Sequence, residues 1–253
     1  MLINAASIAH LASHEAGSPS TLHANSFKVR ERTSSVSSSE KAEKSGLLLL
    51  AEAAQRYVTE LFAEKLPSYF SFHNVQHTID VVQQAARIGE FYSLTAAEME
   101  ILLVAAWFHD SGYTEVYEGH EVASMELART FLQEHHATTE QIQSVLACIN
   151  ATTMPQQPTT LMEKILCDAD VSNIGLDSFF DMSARLRQEQ QTVRGKSFTD
   201  AEWYSVKHGF CVTHRFHTEY AAQHYGQKQA ENALRLEREA EKSSSPVPLP
   251  AEV

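Results

Sequence analysis

The stretch ILLVAAWFHD, residues 101–110, decides the fold. Thr95 and Glu98 precede it at the spacing of a capping box, so a helix is predicted to open there and run to Trp107 or beyond. Directly after the apolar run 101–108 stand two ionisable groups, His109 and Asp110. A carboxylate buried at such a place costs on the order of several kcal/mol unless it is paired or bound to a metal. Adjacent residues on one helix diverge by about 100°, so both side chains reach one point only where the helix ends or is distorted. Ser111-Gly112 supplies such an end, because glycine favours the position after a helix C-terminus. The helix dipole welcomes His109 at that end but does not account for Asp110.

Outward from this stretch the helical interval recurs. Residues 47–66 are amphipathic and rich in Ala, Leu and Glu, and residues 74–91 place Val81, Ala85 and Ile88 on one stripe. Segments 121–135, 139–150, 160–170 and 178–191 also read as helices. Thr199 and Glu202 form a second capping box, predicted to open a long helix to about His224, followed by a last helix over 227–241. No run alternates with period two for long enough to suggest a sheet. The expected fold is therefore all-α, with a single compact helical domain over residues 46–240. Residues 1–45 are Ser-rich with few large apolar side chains, and are expected to be a disordered tail. Residues 241–253 carry Pro246, Pro248 and Pro250 and are expected to be a second, extended tail.

The chain has 253 residues and a net charge of −12. Residues 1–45 hold 5 Lys/Arg against 4 Asp/Glu, and the rest hold 15 against 28. Such a body repels a nucleic-acid polymer, whose binding rests on Lys and Arg displacing counterions. A small phosphorylated ligand stays open, since a metal can dominate the potential inside a pocket. No apolar stretch approaches a membrane span of about 20 residues, and no membrane partner is expected. The N-terminus lacks the basic start of a signal peptide, and the three cysteines, Cys148, Cys167 and Cys211, contain no CxxC pair. Both observations suggest a reducing, cytoplasmic setting with thiols acting as small hydrophobes.

Two further segments carry chemistry. SFHNVQHTIDVV, residues 71–82, sets His73 and His77 four apart, on one face if the helix has begun at His73. Asp80 lies near that face and would orient a metal-bound histidine. ILCDADVSNIG, residues 165–175, offers Asp168 and Asp170. Imidazole and carboxylate are the ligands of Mn, Fe, Zn, Ni, Co or Mg in catalytic sites. A polar helix face with solvated histidines and an ordinary polar helix end are the open alternatives for these two segments.

In order, HNxxH, the HD doublet and the distal AD resemble the HD-domain superfamily of metal-dependent phosphohydrolases. SFHNVQHTIDVV is similar to a segment of the cyclic-nucleotide phosphodiesterases, and ADVSN to their A-D-L-S-N. AAWFHDSGY, GHEVAS and DADVSNIG are similar to small stand-alone bacterial members. The resemblance covers residues 50–235 and implies a helical HD-domain bundle. It also implies that His77, His109, Asp110 and Asp170 are metal ligands, with Asp110 the bridging carboxylate if a second metal binds. His73 would protonate the leaving oxygen, Asp110 would also act in catalysis, and Asp80 would sit behind the ligands. The alignment favours Asp170 over Asp168 as the distal ligand.

The chain departs from the six-ligand members. His120, beside Glu121, is a candidate for the first additional histidine or for phosphate contact. At the second, CINATTMP offers Thr152 and Thr153 and no histidine. One divalent metal is therefore expected and a second is an option. Lys228 is a candidate for gripping substrate phosphate.

The implied function is hydrolysis of a phosphate ester or anhydride of a nucleotide or similar small molecule, a cyclic nucleotide included. A diiron oxygenase on the same scaffold and a nucleotide-sensing domain with little turnover are the alternatives. Substrate identity and oligomeric state do not follow from the sequence.

Overall fold

A computed structural model describes residues 49–244. The expected N-terminal tail, 1–45, lies outside the described residues, as do residues 245–253 of the expected C-terminal one. Nine α-helices follow in order among the described residues: α1 (Leu49–Lys65), α2 (Val75–Phe91), α3 (Ala96–Phe108), α4 (His120–Glu134), α5 (Thr139–Ala151), α6 (Leu161–Val171), α7 (Phe179–Arg194), α8 (Asp200–Thr213) and α9 (Glu219–Ser244). Short 3₁₀ turns occupy Ser111–Thr114 and Ser172–Gly175. No strand occurs among the described residues.

Helix α3 is the middle of the bundle. Its residues from Leu102 to Phe108 are all buried, which requires neighbours on every side. Helices α1, α2 and α5 pack along it, and α4 and α6 touch it. Phe108 lies fully buried against the rings of Tyr57 and Phe131, at centroid distances of 5.6 and 5.1 Å. Truncating such a side chain to alanine typically costs about 3–5 kcal/mol. The polar exception on α3 is Glu100, whose carboxylate accepts the Leu50 backbone N–H at 3.1 Å. It thereby serves one of the free donors in the first turn of α1.

Local sequence sets most helix starts. The Thr95–Glu98 and Thr199–Glu202 boxes both form, and Thr138–Gln141 and Thr160–Glu163 do the same for α5 and α6. All three cysteines are free and buried, and burial pushes the Cys148 thiol up to about 12, which keeps it inert.

A second, smaller apolar cluster of Ile174, Phe179, Cys211, Ala233 and Leu236 joins α7, α8 and α9 to the Ser172–Gly175 turn. Here α9 lies directly on Gly175, where a Cβ would fall 2.4 Å from the Tyr225 Cβ.

The C-terminal third differs from the sequence prediction. Helix α8 ends at Thr213, and His214 is extended, with φ −63 and ψ 138. The next helix opens at Glu219 and continues through Ser244, so residues 241–244 are helical instead of extended. The break has a physical cause. The Asp168 carboxylate, on α6, accepts the His217 and Thr218 backbone N–H groups at 2.7 Å each. Those two donors are thereby withdrawn from an i→i−4 ladder, and the Thr218 hydroxyl then accepts the Ala221 N–H at 3.2 Å to start α9.

Candidate metal centre

Four side chains from three parts of the bundle converge. His77 Nε2 on α2 lies 3.4 Å from Asp110 Oδ2 and 3.3 Å from Asp170 Oδ1. His109 Nε2, at the end of α3, lies 3.2 and 3.6 Å from the same two oxygens. Ligand atoms of His77, His109 and Asp170 all fall within 4.8 Å of one another. His77 Nε2, His109 Nε2 and Asp110 Oδ2 are buried, yet none has a hydrogen-bond partner. Buried polar atoms of native proteins are normally satisfied, so three such atoms aimed at one point fit a cation between them.

Local structure explains the convergence. Asn74 caps α2, its side chain accepting the Gln76 and His77 N–H groups at 2.9 and 3.4 Å. His77 therefore sits in the first turn, facing the end of α3. Helix α3 stops at Phe108, and the backbone turns at Asp110 (φ −108, ψ 5) into the Ser111–Thr114 turn. That turn is what lets adjacent His109 and Asp110 address one point. Gly112 is required by close approach: a Cβ there would fall 2.0 Å from the His120 carbonyl oxygen. Its N–H donates to the Ser124 hydroxyl at 2.8 Å, which seats α4 against the turn.

The His109 ring is oriented from behind. Its Nδ1–H donates to the Ala106 carbonyl at 2.8 Å, so Nε2 of the neutral ring carries the lone pair that faces the cluster. In the metal-free protein the rings hold protons instead. Burial works to lower the His77 pKa, but the Asp110 and Asp170 carboxylates outweigh it and raise it to about 9. His109 is raised well above its ordinary value by the same competition. Burial opposes ionisation of Asp110 and Asp170, yet the neighbouring histidines hold both below the usual carboxylate range. A divalent cation and these protons are thus alternative occupants of one electrostatic well.

The remaining candidates fall at different places. His120 Nε2, at the start of α4, lies 3.3 Å from Asp110 Oδ1, the oxygen opposite the one facing His77 and His109. Asp110 thus addresses two sides, as a carboxylate shared by two cations would. Glu121 lies behind His120, 3.6 Å from Nδ1. Thr152, where a further histidine would be needed, donates its hydroxyl to the Ile149 carbonyl. Asp168 is fully buried and engaged with the backbone at 217 and 218, leaving Asp170 as the aspartate at the cluster. Asp80 does not reach behind the histidines: it accepts the Gln76 side-chain amide at 2.9 Å and faces a neighbouring cavity. Lys228 pairs with Asp177 and Glu231 at 2.8 Å each and is not part of that cavity's wall.

His73 precedes α2 and does not share its helical face with His77. It is held by a residue that sequence reasoning missed. Glu189, fully buried on α7, bonds His73 Nδ1 and accepts the Phe72 and His73 backbone N–H groups at 2.9 Å each. This fixes Nδ1 as the nitrogen turned away, with Nε2 facing the site. Tyr113 was also missed. Its ring stacks on His73 and His120, with centroids 4.4 and 3.8 Å away, and its hydroxyl lies 3.5 Å from His73 Nε2. Burial pushes the Tyr113 phenol far up, so it stays a proton donor.

No helix among the described residues is long and apolar enough to cross a membrane. The chain matches no curated protein and no solved structure. Residues 74–173 match the family model of the HD domain. The matched span runs from the cap of α2 to the turn after α6 and encloses His77, His109, Asp110 and Asp170, while His73 and Glu189 stand outside it. With the order of the motifs and the convergence of their side chains, this match identifies residues 74–173 as an HD domain.

Proposed function

We propose that this HD domain is a metal-dependent phosphohydrolase acting on a phosphate ester of a small molecule. The observation that carries the proposal is the set of three buried, unpartnered atoms, His77 Nε2, His109 Nε2 and Asp110 Oδ2, with Asp170 completing the set beside His73. Two imidazoles and two carboxylates suit Mn, Fe, Co, Ni or Zn better than a soft-metal site. A divalent cation held there would lower the pKa of bound water and polarise a phosphoryl oxygen. The protein supplies the rest. His77, His109, Asp110 and Asp170 would hold the cation, and Asp110 would also orient the attacking water. His73 presents Nε2 to the leaving oxygen and donates a proton there, its other nitrogen being occupied by Glu189.

The test is a chelator-stripped protein reconstituted with each metal in turn. It is assayed on p-nitrophenyl phosphate, its diester, cyclic nucleotides and nucleoside mono- and triphosphates, with metal content measured in parallel. Turnover is expected only with metal, and His109→Ala and Asp110→Ala are expected to lose both metal and turnover. Full metal-dependent activity in Asp110→Ala would sink the assignment.

A further inference from the structure

A cavity of about 240 Å³ opens beside the metal centre, with His77 and Asp170 on its floor. Its polar walls are Asp80 and Gln84 from α2, Ser172 and Asn173 from the 3₁₀ turn, and Ser178. No lysine or arginine lines it. Three basic side chains of the C-terminal third are paired elsewhere: Lys228 with Asp177 and Glu231, Arg187 with Asp200, and Arg194 with Glu118.

Beyond the metal centre itself, the cavity offers one carboxylate and several neutral donors. Asp80 Oδ1 accepts the Gln76 amide, and Oδ2 has no hydrogen bond among the described residues. The Gln84 carbonyl is occupied by the Tyr225 hydroxyl at 2.6 Å, which leaves its NH₂ to donate. Asn173 has no side-chain hydrogen bond among the described residues, so its amide is available too. Two neutral histidines, two aspartates and a divalent cation sum to zero charge, and Asp80 makes the cavity negative. The charges of a polyphosphate would meet no cation there beyond the metal and would face Asp80.

A cationic group has the opposite fate. Asp80 follows His77 by three residues on α2, so their Cβ atoms are about 5–6 Å apart. A phosphoryl group at the centre and a protonated amine on Asp80 are therefore bridged by a short chain. We infer that the substrate is a short aminoalkyl phosphate ester, with Asp80 the residue that selects its amine. This rests on the phosphohydrolase reading. In the reaction one water is consumed. The phosphorus bonds to the water oxygen as its bond to the alcohol oxygen breaks, and His73 supplies the proton to the departing oxygen. The water's proton passes to solvent, and the products are an amino alcohol and inorganic phosphate.

The experiment compares ethanolamine phosphate with 2-hydroxyethyl phosphate, its neutral counterpart of the same size, on the metal-reconstituted protein. ATP and p-nitrophenyl phosphate are run alongside. A charge-assisted contact predicts kcat/KM at least about tenfold higher for the amine, expressed mainly in KM. In Asp80→Asn that ratio falls towards one, and in Asp80→Glu a preference survives. Equal wild-type rates for the two esters, faster turnover of ATP, or an intact preference in Asp80→Asn overturns the inference. The wild-type comparison decides even if Asp80→Asn does not fold. Turnover of p-nitrophenyl phosphate without amine preference overturns the inference alone. No turnover of any ester at full metal loading overturns the phosphohydrolase reading as well.

Discussion

Among single residues, Asp110 and His73 separate two jobs within a few ångströms. Asp110 turns one oxygen to His77 and His109 and the other to His120, so its removal dismantles the electrostatic centre from both sides. His73 makes no contact of this kind: it belongs to Glu189 and Tyr113. His73→Ala is therefore expected to keep its metal content while kcat falls by about 10²-fold or more, the usual worth of a positioned general acid. Glu189→Gln should move the same way by a smaller factor, because one amide oxygen cannot serve the ring nitrogen and both backbone donors as the carboxylate does. Paired measurements of kcat and bound metal check both variants. Loss of metal from His73→Ala would make it a ligand and contradict the division. The dyad was only half legible in the sequence. His73 stands in a motif, whereas Glu189 lies 116 positions away on a helix whose buried face has no periodic signature strong enough to single it out.

For the helices, the sequence was most readable where one local rule governs. The capping boxes before α3 and α8 and the apolar run of α3 need no distant partner, and both appear as predicted. The same holds for the turn after Phe108, although its glycine serves close approach of α4 instead of a helix cap. Reading failed where a distant group overrides local preference. The segment around His214–Thr218 has no proline or glycine to stop a helix, and Asp168 stops it by taking two backbone donors. Asp168 thus looked like a rival ligand because its real partner, the α8–α9 connection, was invisible in a linear pattern. Asp168→Ala would leave one part-buried and one buried N–H group without acceptors and release the start of α9. It should lower unfolding free energy by about 2–5 kcal/mol, read from urea melts. Metal stoichiometry at low temperature should stay that of the unmodified protein, since Asp170 faces the cluster. A loss of metal with unchanged stability would reverse the two aspartates' roles.

Taken whole, the molecule is expected to couple its stability to protons and metal through one cluster. Without metal, His77 is raised to about 9 in the folded chain against 6.5 for an ordinary histidine, and His109 is raised too. A raised pKa means the folded state binds more protons than the unfolded one between those values. That contribution is complete below about pH 6.5 and is lost as pH climbs through about 9. On the acid side, burial holds His214 down to about 4, so its contribution is lost as pH falls from 6.5 through that value. Asp110 and Asp170, held low by the histidines, lose theirs at still more acid pH. The metal-free protein should therefore be most stable near pH 6.5, with Tm declining on both sides. Metal binds the deprotonated rings, so its apparent affinity grows as the competing protons leave. Its stabilisation, which follows the ratio of free metal to dissociation constant, grows with it. Differential scanning calorimetry with and without one equivalent of metal should thus show a Tm gap that widens from pH 6.5 to pH 9, as the metal-free curve falls and the loaded curve holds. In His109→Ala the gap should close at every pH. A gap that stays constant or narrows over that range would mean that the protons and the metal do not share the His77–His109–Asp110–Asp170 cluster.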